Sequence, residues 1–202
     1  MSMSGIISTS RLPAVAIMAI GLASAGLAAD PPSRADAFRA ADAAAGLPEE
    51  PLDPSIPVCA APPASGEKLA GDVKLRDEGH TMTFQNGGGG TAIVKIRHAT
   101  TGKLALSFMI NKLEEVTIEG VPDGVYITQY AFGPALAPDC RSFTRIIRAS
   151  QLPEPDTFKT IVNDSSDGTE VKHMAVSYEL SVSRSASNMK PVRIDAAAFN
   201  AD

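Results

Sequence analysis

From residue 174 onward the chain alternates. Met174, Val176, Tyr178, Leu180 and Val182 are large and apolar, while Ala175, Ser177, Glu179 and Ser181 between them are small or polar. Neighbouring side chains point to opposite sides only in an extended strand, so the run reads as a strand with one face buried. The same period of two recurs upstream. Met82 and Phe84 alternate with Thr81 and Thr83; Ala92, Val94 and Ile96 with Ile93, Lys95 and Arg97; Leu104, Leu106, Phe108 and Ile110 form another inward row. Val116 and Ile118 face inward against Glu115, Thr117 and Glu119, and Val125 to Phe132 carries Tyr126, Tyr130 and Phe132 on one face. In the run from Ala92 to Arg97, the face bearing Lys95 and Arg97 reads as a largely polar outer face.

Turn signals separate these runs. Asn86 precedes four glycines, Gly87 to Gly90; Thr100-Thr101-Gly102 follows His98; Pro122-Asp123-Gly124 combines a preset φ with a permissive corner. Short strands with turns every roughly 8–12 residues favour an antiparallel sandwich or barrel. No helical crossover separates the runs, which argues against a parallel α/β sheet. The fold class expected is therefore mostly β, an antiparallel β-sandwich.

The C-terminal third is less uniform. Arg141 to Ser150 fits a strand through Phe143, Arg145 and Ile147, or a helix with Arg141, Arg145 and Arg148 on one face; the strand is the preferred reading. Phe158, Thr160 and Val162 suggest a short strand, Asn163 to Gly168 a polar turn, and Ile194 to Phe199 a terminal helical turn with Phe199 docked on the sheet.

The chain begins with one base, Arg11, then runs from Leu12 to Ala29 without a charge; Ala23-Ser24-Ala25 and Gly26-Leu27-Ala28 offer small-x-small sites, and Asp30 is the first acid. That is the order of features in a secretory signal peptide, expected over residues 1–29. A retained anchor is the alternative, but Pro13, Gly21 and Gly26 interrupt a run at the short edge of a bilayer span. No later stretch is long and apolar enough to span, so no stable membrane span is expected after cleavage, and the location expected is periplasmic or secreted. Residues 30–70 are rich in Ala and Pro and read as an arm or linker, with a short helix conceivable from Ser33 to Ala45; residues 71–202 form the β domain.

The formal net charge is -5, and loss of Arg11 makes the exported chain one unit more negative. A nucleic-acid role, which needs clustered Lys and Arg, is not supported. Two cysteines, Cys59 and Cys140, fit a disulfide in an oxidising compartment, with two buried thiols as the alternative. Such a bond would pin the arm to the domain.

The remaining motifs carry little chemistry. The glycine run lacks the Lys-Ser/Thr and the helix of a phosphate loop. Asn163, Ser165, Asp167 and Gly168 echo a calcium loop, but Met174 stands where a bidentate Glu is needed. His80, His98 and His173 have no ligand spacing, though a sheet can still bring two together. No serine sits in a nucleophile elbow. No cofactor or metal is implied. Tyr126, Tyr130 and Phe132 read as sheet core or as a partner-binding face, and Arg141, Arg145 and Arg148 as a solvated face or as a complement to an acidic partner.

The stretch VTIEGVPDGVYITQYAF, Val116 to Phe132, resembles the strand-turn-strand signature of transthyretin-like domains, including carboxypeptidase regulatory-like ones; Gly124, Val125 and Tyr126 match its Gly-x-Tyr step. TAIVKIRHATTGKLALSFMI also resembles that family's strand, Thr-Gly turn and strand. The likeness covers about 45 residues. It implies a small β-sandwich used for support, adhesion or carriage rather than catalysis. More broadly, Asn86, Gly87, Ala92, Val94, Lys95, Gly120, Pro122, Gly124, Tyr126, Cys140 and Phe143 resemble a pattern in secreted bacterial β-rich domains of uncharacterised function.

The function expected is an exported, non-enzymatic β module that binds a protein partner or self-assembles in an envelope structure. An alternative is a small-ligand or glycan-binding periplasmic domain, which needs a concave pocket lined by the aromatics. A second alternative is a hydrolase whose site only folding assembles, with a nucleophile and base in hydrogen-bond reach.

Overall fold

The computed structural model describes residues 52–87, 90–181 and 190–201. The leader over residues 1–29, the helix considered from Ser33 to Ala45, and Val182 lie outside them. Among the described residues twelve strands and one short helix follow in chain order: β1 Lys68–Ala70, β2 His80–Asn86, β3 Thr91–His98, β4 Leu104–Ile110, β5 Glu115–Val121, β6 Gly124–Gly133, β7 Arg148–Gln151, β8 Asp156–Phe158, β9 Ile161–Ser165, β10 Gly168–Lys172, β11 Ala175–Leu180, β12 Val192–Ile194 and α1 Ala196–Asn200.

The protein is mostly β, with its strands in three sheets. The large sheet has the order β1-β4-β3-β6-β7-β12, with β8 also pairing β6, and every pair in it is antiparallel. A second sheet, β11-β2-β5, lies over one face, and β9 and β10 pair only with each other. The β11–β2 pair is parallel, from Ala175 opposite Thr81 to Leu180 opposite Asn86. Local alternation cannot reveal this direction, because a strand buries the same side chains whichever way its neighbour runs.

The inward rows meet between the two larger sheets. Met82, Phe84, Val94, Ile96, Leu106, Phe108, Ile110, Val116, Ile118, Tyr126, Tyr130, Phe132, Phe158, Tyr178 and Leu180 form one buried cluster. The opposite face of the large sheet is also covered, contrary to the polar outer face expected there. Ile93, Met109, Ala131 and Ala149 pack with Cys59, Leu136, Phe143 and Phe199 in a second cluster, so arm, loop and terminal helix all close on it. Lys95 and Arg97 are consequently buried. Lys95 Nζ lies 5.1 Å from the centre of the Phe199 ring, an attractive cation–π geometry. Arg97 donates from Nε to Gln129 Oε1 at 3.0 Å and from Nη1 to the Gly102 carbonyl at 3.1 Å, and Nη2 donates to the Ala201 carbonyl at the end of α1. Asp195 starts that helix by accepting the Ala198 N–H.

Cys59 and Cys140 are joined in a disulfide across 81 residues. The Cys59 N–H also donates to the Leu136 carbonyl at 3.0 Å, and β1 pairs with β4, so the arm from residue 59 on is fastened to the large sheet. Arg141 to Ile147 forms neither the helix nor the long strand considered for it; only Arg148–Gln151 is extended in a sheet, while Phe143 bridges Leu136.

The chain passes from the second sheet to the large one at Val121-Pro122-Asp123-Gly124. Gly120 there has φ of +73°, and a Cβ on it would stand 1.9 Å from the Arg76 carbonyl oxygen. Only glycine fits that corner. The Tyr126 ring lies against Gly124, where a Cβ would come within 2.9 Å of it. The Gly-x-Pro-x-Gly-x-Tyr pattern is thus a packing requirement of a sheet-to-sheet corner.

Candidate functional site

The corner residue Asp123 is the centre of a hydrogen-bonded clasp. Its Oδ1 accepts from His80 Nε2 at 2.9 Å and from Thr160 Oγ1 at 2.6 Å, while the Thr160 N–H lies 3.1 Å from both carboxylate oxygens. His80, the fully buried first residue of β2, accepts the Met174 N–H on Nδ1 at 2.9 Å. With Nδ1 an acceptor, the ring hydrogen belongs on Nε2, where it points at Asp123. Phe158 stacks on the imidazole at 4.9 Å, and His173 meets it edge-on at 5.4 Å. Folding therefore does bring two of the three histidines together; His98 sits elsewhere, 3.4 Å from Asp72. The hydrogen bonds from Thr160 and His80 hold the Asp123 carboxyl well below the usual carboxylate range.

A His–Asp pair at this distance has the geometry of a catalytic dyad, but its wiring is different. A general base needs one free ring nitrogen facing a substrate. Here one nitrogen is given to Asp123 and the other to a backbone N–H, in a ring with no solvent exposure. Thr160 donates to the carboxylate rather than to the imidazole. What the clasp does is fix backbone. Thr160 precedes β9 and Met174 follows β10 by two residues, so both feet of the β9–β10 hairpin are tied to one His80–Asp123 unit. The Thr81 N–H adds a bond to the Met174 carbonyl at 3.0 Å.

The hairpin itself stands clear of the body: every residue of both strands is exposed. Its turn is the polar stretch Ser165-Ser166-Asp167-Gly168, which folds as a hairpin rather than as a calcium loop. Ser165 Oγ donates to the Gly168 carbonyl, and Gly168 takes φ of +136°. Ser165 pairs with Gly168 across two residues, which makes that pair exchange both backbone bonds; Asn163 with Glu170 and Ile161 with Lys172 follow at every second position. The intervening pairs, Val162 with Val171 and Asp164 with Thr169, turn their N–H and C=O groups outward. Among the described residues no other strand pairs with either edge.

The two hairpin faces differ. One carries Val162 beside Val171, 56% and 48% exposed, with Thr169 Oγ1 donating to Asp164 at 2.7 Å. The other carries Ile161, half exposed, and a charged group in which Lys172 Nζ lies 3.0 Å from Glu170 and Asn163 donates to the same carboxylate. Met174, read from the sequence as a strand core residue, precedes β11 and is exposed.

The residues singled out in the sequence fall elsewhere. Tyr126, Tyr130 and Phe132 are buried in the main core, so their rings are not offered to a partner. Arg141 and Arg145 are exposed on the connection after Cys140, and Arg148 begins β7 opposite Phe132. An open depression of about 340 Å³ lies beside α1, lined by Arg97, Thr101, Gly102, Lys103, Gln129, Ala198 and Ala201. It contains no aromatic side chain, and the Arg97 donors within it are directed to carbonyl oxygens of Gln129, Gly102 and Ala201. No group of three or more His, Cys, Asp or Glu among the described residues is arranged to hold a metal ion, and no helix among them is long and apolar enough to cross a membrane.

No family model matches this chain, nor does any curated protein or solved structure.

Proposed function

We propose that this chain is an exported, non-enzymatic β module that acts by binding a protein, with the β9–β10 hairpin as its docking element. The observation that carries this reading is the hairpin's combination of two open strand edges, exposed valines and a rigid mounting. An isolated two-stranded ribbon is marginally stable in water. Open edges and apolar side chains are features that soluble β proteins usually cover or blunt. Here one foot is tied to the buried His80 and the other to Asp123, which His80 also bonds, and this keeps the ribbon presented. Edge-strand addition uses the same backbone groups that Val162, Asp164, Thr169 and Val171 turn outward.

Export is part of the proposal. It is supported by the basic start, apolar run and small-x-small sites of residues 1–29, and by a disulfide of the kind that persists in oxidising compartments. The likeness to transthyretin-like domains belongs here as well. The Gly120 to Tyr126 corner and the sandwich support it, while the parallel β11–β2 pair departs from a wholly antiparallel arrangement.

The test pairs two measurements. N-terminal sequencing of the protein from the exported fraction should begin near residue 30; a chain starting at Met1 in the cytoplasm sinks the export reading. Crosslinked native fractions should yield a partner at fixed stoichiometry with the wild type and not with a Val162→Asp/Val171→Asp variant of equal thermal midpoint. Equal capture by both proteins would remove the hairpin from the binding surface.

A further inference from the structure

We infer that the occupant of the β10 edge is a second copy of this chain, paired antiparallel across a twofold axis centred on Val171. The inference rests on the docking reading above and names its partner.

The two edges are not equivalent. Strand β9 carries a single charge, Asp164, and no base, so no pairing of it with itself sets opposite charges face to face, whereas β10 carries one charge of each sign, Glu170 and Lys172. The outward positions of β10 are Thr169 and Val171, both uncharged, on a strand whose five residues are all exposed. Any twofold pairing of β10 with itself must centre on one residue. Centring on Glu170 sets that carboxylate against the partner's Glu170, a like-charge contact at the axis. Moving the axis by one residue to Val171 changes every pair. Val171 then exchanges both backbone hydrogen bonds with the partner's Val171, as its outward N–H and C=O require. Glu170 falls opposite the partner's Lys172, and Lys172 opposite the partner's Glu170.

These charged pairs occupy the non-hydrogen-bonded sites of the new ladder, where facing side chains come closest. The strand already brings Lys172 Nζ to 3.0 Å from Glu170 within one copy. In the pair, four alternating charges would share one face, and the exposed valines of both hairpins would line the other. The sequence Thr169-Glu170-Val171-Lys172 is thus complementary to itself in charge and in backbone direction about a single axis. The clasp at Asp123 and His80 makes the encounter economical in entropy, because neither hairpin has to be ordered on binding.

The contact is small, so the dimer should be weak and concentration-dependent. The experiment is sedimentation velocity over a concentration series of the purified exported chain, with hydrogen exchange read on residues 168–172. Wild type should shift from monomer to dimer as concentration rises, with exchange slowing at Thr169 and Val171. Glu170→Lys alone sets the new ammonium against the partner's Lys172 and should weaken the dimer about tenfold or more. Lys172→Glu alone should do the same, by setting two carboxylates face to face. An equimolar mixture of the two single variants should restore dimer as a heterodimer, and the double variant Glu170→Lys/Lys172→Glu should restore the homodimer. Recovery in the mixture cannot come from general damage to either hairpin.

A wild type that stays monomeric into the millimolar range overturns the inference, and so does a dimer indifferent to both single reversals. If that monomer still captures another protein, and the Val162→Asp/Val171→Asp variant does not, self-pairing fails while the docking reading stands. If neither self-association nor capture depends on the hairpin, both fail together.

Discussion

His80 Nε2 and Asp123 Oδ1 lie 2.9 Å apart, and through this one hydrogen bond the first residue of β2 is tied to the corner between β5 and β6. The pair also holds Thr160 and Met174, so a buried polar contact in the body sets the position of an exposed ribbon. Sequence separation hides the relationship: residues 80, 123, 160 and 174 come from four different parts of the chain.

The clasp makes a local prediction. His80→Phe keeps an aromatic ring for Phe158 to stack on but deletes the acceptor for the Met174 N–H and the donor to Asp123. A buried group left unsatisfied costs about 1–3 kcal/mol, so a loss of global stability of that order is expected. The diagnostic effect is regional. Amide exchange over residues 161–172 should speed up more than exchange in β3 or β6 at matched global stability. Uniform acceleration across the protein would show that His80 serves the core alone.

Acid titration should separate two aspartates with opposite signs. The Thr160 and His80 hydrogen bonds lower the Asp123 pKa from 3.8. A lowered folded value means stability that is present above the unfolded pKa and lost as pH falls through the folded one. Wild type should therefore lose stability below about pH 4 more steeply than Asp123→Asn, which is less stable at neutral pH but has no carboxylate there to protonate. Urea midpoints from pH 7 downward measure it; parallel curves would refute the assignment.

Asp156 behaves in the reverse sense. Desolvation raises its pKa from 3.8 and outweighs the hydrogen bond from Tyr178, whose own phenol is pushed up by burial and by this carboxylate. Asp156 Oδ2 is buried and has no hydrogen-bond partner. A raised folded value means a contribution fully present below the unfolded pKa and lost as pH rises through the folded one. Asp156→Asn keeps the acceptor for the Tyr178 hydroxyl and removes the charge. It should stabilise the protein at pH 7, and the gain should fade as pH falls through the raised folded pKa and be gone below 3.8. No gain at neutral pH would mean that Oδ2 is better solvated than its burial indicates.

The fold was legible wherever one face of a strand met a core. The alternation of Met82, Phe84, Val94, Ile96, Leu106 and Phe108 is local information, and so are the turns at Gly102 and Pro122. Phe199 docks on the sheet from a terminal helical turn, as expected, although Ile194 belongs to β12 rather than to that turn. The second buried face was not legible, because Lys95 and Arg97 look solvent-facing until α1 and the connection from 134 to 147 close on that side of the sheet. Their charges are accommodated by Phe199 and by carbonyl oxygens, and two of these partners, Phe199 and Ala201, lie 104 positions away. The hairpin was read only as far as its turn, plus Val162 in a short strand. Its significance lies in what fails to cover Val162 and Val171, and a period of two cannot report that. The clasp had one readable sign, an aspartate in the Pro-Asp-Gly corner, but nothing local names its partners.

The disulfide supplies a further ordered prediction. Linking residues 81 apart restricts the unfolded chain, an effect of about 4–5 kcal/mol in the chain-entropy model. Cys140 itself has φ of 57°, a left-handed conformation that costs a residue with a side chain roughly 1–2 kcal/mol. Once the link is gone, that strain remains in Cys59→Ala/Cys140→Ala and is absent from Cys59→Ala/Cys140→Gly, because glycine adopts the conformation freely. Urea midpoints should therefore rank wild type highest, the Ala/Gly variant second and the Ala/Ala variant lowest. Exchange should rise at Cys59 and its neighbours in both variants, since the covalent tie is gone and that part of the arm is left with the residue 59 N–H bond to the Leu136 carbonyl and its packing. If the Ala/Gly variant matched the wild type, the arm would be held by β1 and its own packing, and the link would add nothing. If the two variants were equal, the left-handed turn at residue 140 would exist only because the disulfide imposes it.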